Sequence, residues 1–145
     1  MVAMAQTYLK SRQYPATQRG LGSGDGEFGE QQNELVIDLV HLSRQTLSDQ
    51  ALEVELLDLF ERQSARIVAQ LRQAGCGDAK ICGDLAHMLR GSALAVGAGR
   101  VARMAQIYET RCGAATQGPA ADAALEALAG AVAEARATIA QLLGR

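Results

Sequence analysis

The sequence predicts an all-α fold, an antiparallel up-and-down four-helix bundle with a short additional helix at its N-terminal side. Three observations carry that reading. From Ile37 onward apolar residues recur at three- and four-residue spacing, and Pro119 is the only proline to interrupt them. Aromatic residues make up 3% of the chain, so the aromatic enrichment typical of strands is missing. The connections between periodic segments are short, which forces successive helices to turn back on one another. At 145 residues, 48% of them hydrophobic, the chain can bury one substantial core and is too short for two comfortable domains.

Residues 1–32 are dominated by Gln, Gly, Ser and charge, with Gly20, Gly22, Gly24, Gly26 and Gly29 crowded together, and read as a flexible glycine-rich tail. The bundle is assigned to 33–145. Within the tail, Gly24 to Gly29 matches a GxGxxG phosphate-loop pattern. Such a loop works only after a strand and with lysine and aspartate partners that have no place in this chain, so it is read as a chance match. A short first helix over about 38–47 has Asp38 as N-cap and buries Leu39, Leu42 and Leu47. The second, about 49–74, places Leu52, Leu56, Phe60, Ile67 and Leu71 on one stripe and stops at Gly75 and Gly77. Asp78 caps the third, which runs to about Val96 and ends on Gly97 and Gly99. The fourth covers about 100–114 with Val101, Ala105 and Tyr108 inward. After Gly118 and Pro119 the fifth runs to about Leu143, with Leu125, Leu128, Val132, Ile139 and Leu142 at heptad-like spacing.

The formal net charge of −2 and pI near 5.7 arise from interspersed charges without a basic stripe, which argues against a nucleic-acid partner. No signal-type apolar region and no apolar run of roughly 18 residues occurs, so no membrane association is expected and a cytoplasmic location is inferred. Cys76, Cys82 and Cys112 form neither a CxxC pair nor an even framework, and are read as idle thiols in a reducing compartment. Joining Cys76, Cys82 and His87 into a metal site fails for want of a second ligand cluster.

The informative stretch runs from Ala86 through Ala98 on the third helix. At about 100° per residue, Leu85, Leu89, Ser92 and Val96 share one side and His87 falls near the opposite one, facing solvent. Around it on the outer face lie Asp84 one turn earlier, Arg90 and Gly91 at i+3 and i+4, and Leu94 two turns on. An exposed neutral imidazole keeps a free ring nitrogen that can attack an acyl phosphate. Arg90 would set a guanidinium beside a phosphoryl group. Gly91 lowers helix stability by about 1 kcal/mol relative to Ala, which asks for a compensating role, and access for a partner is the natural one. Leu94 would make a dry contact patch, with Asp84 beside it as a partner-facing charge. His41 lies outside this pattern and is read as a packing or surface residue.

This combination resembles the signature of histidine-containing phosphotransfer domains: a histidine, a lysine at the third following place, glycine at the fourth, small residues, then Gly-Ala at the tenth and eleventh. His87, Gly91, Ser92, Ala93, Gly97 and Ala98 fit, with Ile37-Asp38, Phe60 and Ala86 extending the likeness over about 37–143. Arg90 replaces the usual lysine, keeping the charge but trading a flexible point charge for a planar fork. The resemblance implies a phosphorelay intermediate of two-component signalling. It would accept a phosphoryl group on His87 from an aspartyl-phosphate receiver domain and pass it to another, without kinase activity of its own. Partners would be receiver domains of response regulators or hybrid histidine kinases. No cofactor is expected on this chain, Mg²⁺ belonging to the receiver, and a monomer is expected. Two alternatives belong to other classes: a bundle that sequesters a signalling partner without being phosphorylated, and a metal-binding bundle, which would need Glu-x-x-His pairs the sequence lacks.

Overall fold

A computed structural model describes residues 35–74, 77–113 and 118–145. The tail, with its GxGxxG match, and the positions of Gly75 and Cys76 lie outside these residues. The described residues form five helices: α1 (Leu39–Gln45), α2 (Gln50–Ala74), α3 (Ala79–Val96), α4 (Gly99–Gly113) and α5 (Pro119–Leu142). The all-α bundle with one short extra helix is what the apolar spacing predicts.

Helix starts follow side-chain chemistry. The Asp38 carboxylate accepts from the Val40 and His41 amides at 3.1 Å each, and Asp78 does the same for Lys80 and Ile81 at 3.1 and 3.2 Å. Asp49 accepts from Leu52 at 3.1 Å to open α2, and Pro119 opens α5 at a place where its missing N–H is no loss. α3 ends on Gly97, whose φ of +78° is left-handed. The Gly97 carbonyl accepts from the Asp38 amide at 2.9 Å, so α1 is tied to the turn between α3 and α4. A Cβ at Gly97 would stand 2.7 Å from the Asp38 carbonyl oxygen, so glycine is required there by both backbone conformation and close approach.

Side-chain bridges fix the helix directions. Arg72 pairs with Glu126 at one end of α2 and α5, while Arg145, just past α5, pairs with Asp58 and Glu61 near the other, so these two run antiparallel. Arg145 holds the Asp58 carboxyl below the usual range, chiefly through its hydrogen bond. Ser92 donates to Gln63 at 3.0 Å between α3 and α2, and Arg100 meets Glu134 at 2.7 Å between α4 and α5. The interior holds Leu42, Leu57, Phe60, Leu71, Leu89, Leu128 and Ile139 with almost no exposure, each contributing about 1.5–3 kcal/mol by leaving water. Alanines line much of the buried face of α5, which allows close helix approach.

Three packing expectations are corrected. Leu47 is not buried but 91% exposed. α1 ends early because the Thr46 hydroxyl turns back to the Leu42 carbonyl and on to Glu53, and Leu47 and Ser48 then follow at φ +53° and +63°, throwing Leu47 outward. On α2 the buried stripe runs through Glu53, Leu57, Phe60, Ser64, Ile67 and Leu71, so Leu52 is 40% exposed and Leu56 half-buried. Two polar members, Glu53 and Ser64, disguise that stripe in the sequence. On α3 the centre of the buried face is Cys82, Ala86, Leu89, Ala93 and Val96, with Leu85 and Ser92 at its half-buried edge. Small residues sit at the closest approach, and a reading weighted to large side chains misplaces it by one position.

Candidate functional site

α3 carries His87 at mid-length, on the side turned away from the core, with 72% of the side chain exposed. Its surroundings come from two helices. Because α3 and α4 form a hairpin about Gly97 and Ala98, residues equally far from that turn face one another. Glu109 of α4 is thereby brought to His87, and its Oε1 lies 3.1 Å from His87 Nδ1. The other oxygen, Oε2, is 4.0 Å from a guanidinium nitrogen of Arg90, whose side chain is 36% exposed. One carboxylate thus contacts both the imidazole and the cation.

This contact assigns the protons. An ionised carboxylate only accepts, so Nδ1 carries the hydrogen and donates it to Glu109. Nε2 is left with the lone pair. The contact therefore favours the tautomer in which the outward-facing Nε2 carries the lone pair.

The other predicted residues fall as follows. Gly91 is exposed, and a Cβ there would meet nothing within 4 Å, so neither packing nor backbone shape demands glycine. Asp84 lies on the outer face one turn before His87, but its carboxylate is engaged by Lys80 Nζ at 3.0 Å, which raises the lysine's pKa. Leu94 is 52% exposed and lines a shallow cavity of about 300 Å³ with Leu35, Asp38, His41, Gly97 and Gly99. His41 is half-buried there, its Nε2 enclosed without a hydrogen-bond partner among the described residues. His41 and Leu94 thus share one groove, which their separation in sequence conceals. Exposed Met88 and Ile81 extend the apolar surface on the other side of the histidine.

Sequence reasoning missed Glu109. A signal for it exists: His87 and Glu109 stand ten and twelve residues from Gly97 on opposite arms of the hairpin, so counting outward from the turn pairs them. Below the site, Tyr108 is buried between α3 and α4, and burial together with the Cys82 and Cys112 thiols beside its hydroxyl pushes its pKa upward. Among the described residues neither Cys82 nor Cys112 forms a disulfide.

The family model for the Hpt domain matches residues 55–138, more than half of the chain and inclusive of His87, Arg90, Gly91 and Glu109. The chain belongs to the Hpt domain family. Hpt domains are phosphocarriers of two-component signalling and interact with receiver domains of response regulators, so the helical bundle and the class of partner follow from membership. Searches of the curated proteins and of the solved structures found no match. Among the described residues no helix is long and apolar enough to cross a membrane.

Proposed function

We propose that this Hpt domain is a phosphorelay intermediate and that His87 is its phosphoacceptor. The observation that carries the reading is the 3.1 Å contact between His87 Nδ1 and Glu109 on an otherwise exposed imidazole. In the step proposed, Nε2 attacks the phosphorus of a receiver's aspartyl phosphate in line. The N–P bond forms, the acyl P–O bond breaks, and the receiver recovers its carboxylate. The imidazole ring becomes cationic, and the proton on Nδ1 stays where Glu109 stabilises it. Onward transfer reverses these bonds at a second receiver. Arg90 supplies positive charge beside the phosphoryl oxygens, which compete with Glu109 for the guanidinium.

The carboxylates nearest His87 are already engaged, Asp84 with Lys80 and Glu109 with His87 and Arg90. We therefore place Mg²⁺ and most of the electrostatic catalysis on the receiver. Incubation with phosphorylated receiver domains tests the assignment. Acid-labile label should appear on the wild-type chain and on His41→Ala, and be absent from His87→Gln at unchanged helicity. Label persisting on His87→Gln refutes the site; label on no form of the chain, from a panel of receivers, favours a module that binds without being phosphorylated.

A further inference from the structure

We infer that Gly83 is a second access residue of the transfer site, setting how closely a receiver can approach His87 from its N-terminal side. The inference rests on His87 as phosphoacceptor. Gly83 precedes His87 by four residues and Gly91 follows it by four, so the three form one ridge along α3, with each glycine displaced about 40° around the axis from the histidine. A Cβ built on Gly83 meets nothing within 4 Å, as at Gly91, and neither glycine has a positive φ. Among the described residues nothing therefore calls for glycine at 83, although glycine weakens a helix interior, and unlike the equally open Gly130 it shares a ridge with His87.

Helical side chains lean toward the N-terminus of their helix, so the reacting end of His87 overhangs the turn that contains Gly83 more than the turn that contains Gly91. The ring, drawn toward Glu109 on α4, leaves the space above Gly83 open. A receiver presenting an aspartyl phosphate to Nε2 must bring loops around that phosphate past the same turn. A bare backbone at 83 lets them settle against the helix, while a long side chain would hold them off.

Two phosphoryl donors separate access from chemistry. Phosphoramidate is small, and its phosphoryl group moves to Nε2 with ammonia leaving, so no protein surface has to dock. A phosphorylated receiver needs the docked geometry. For Gly83→Leu and for the polar Gly83→Gln, kcat/KM with the receiver should fall about tenfold or more, mainly through KM, as for a side chain intruding at the centre of an interface. Labelling by phosphoramidate should stay within about twofold of wild type, and the melting temperature should rise because a helix glycine has been replaced. Gly130→Leu, at an equally open helix position on α5, supplies the control for helix stabilisation alone and should leave both donors unaffected. Receiver transfer within twofold of wild type in Gly83→Leu and Gly83→Gln overturns the inference. So does an equal loss with phosphoramidate, since Gly83 would then act on His87 itself. If the wild-type chain accepts from phosphoramidate and from no receiver, the relay reading fails and the access reading with it; if only the Gly83 variants lose receiver transfer, both stand.

Discussion

Replacing Glu109 by alanine tests whether the carboxylate sets the reactive nitrogen. A hydrogen bond to a charged group contributes about 1.5–3 kcal/mol net when shielded from water. With His87 72% and Glu109 32% exposed, solvent competition reduces this to about 1 kcal/mol, which corresponds to roughly a fivefold change in the ratio of the Nδ1–H to the Nε2–H tautomer. Glu109→Ala should therefore slow single-turnover transfer from a saturating phosphorylated receiver by about twofold to fivefold, and Glu109→Gln, which keeps an acceptor oxygen, by less. Nitrogen NMR of the imidazole should show Nε2 taking up the hydrogen in proportion. Rapid-quench measurement of acid-labile label gives the rate. An unchanged tautomer and an unchanged rate in Glu109→Ala would refute the reasoning, and would make the 3.1 Å contact a surface hydrogen bond of no consequence for transfer.

Arg90→Ala should reduce the transfer rate at saturation and shorten phosphohistidine lifetime while leaving affinity for an unphosphorylated receiver nearly unchanged, as read by titration and by decay of label. Leu94→Asp should do the opposite, weakening receiver binding by about 1–3 kcal/mol because a charge must be desolvated in the groove, with transfer in the residual complex retained. Gly97→Ala should destabilise the bundle by about 2–4 kcal/mol in thermal or denaturant unfolding, since the residue must keep a left-handed φ and its Cβ must displace the Asp38 carbonyl. Wild-type stability for Gly97→Ala would show that the α1 attachment yields without loss.

The fold was legible because it depends on periodicity and caps, both local in the chain. Asp38, Asp78, Gly97 and Pro119 mark helix ends by their own chemistry, and the positions of α2 to α5 followed within a residue or so. Where the reading slipped, a long-range contact had overruled a local pattern. Thr46 finds Glu53 across the α1–α2 turn, which ends α1 and expels Leu47, and no apolar count anticipates a buried pair of polar residues. The exposed face of α3 was equally legible, so His87, Arg90, Gly91 and Leu94 could be chosen together. Glu109 was not, because its role exists only between helices and its neighbours in sequence, Tyr108 and Thr110, say nothing of histidine chemistry. Gly83 was not singled out either, because a lone glycine in a helical pattern draws notice only once the space above it is seen to be open.

The bond from Asp38 to Gly97 makes α1 a reporter on the rest of the domain. At seven residues α1 is too short to persist by itself, and its buried Leu39 and Leu42 join the common core where α1 packs on α3 and α2. Amide hydrogen exchange in α1 must then follow either detachment of this one segment or opening of the hairpin, whichever is more frequent. Detachment also dismantles the groove that Leu35, His41 and Leu94 line. If a receiver seats on Leu94 as proposed, exchange at Asp38 and Leu42 should slow, and the degree of slowing would measure docking in a His87→Gln chain.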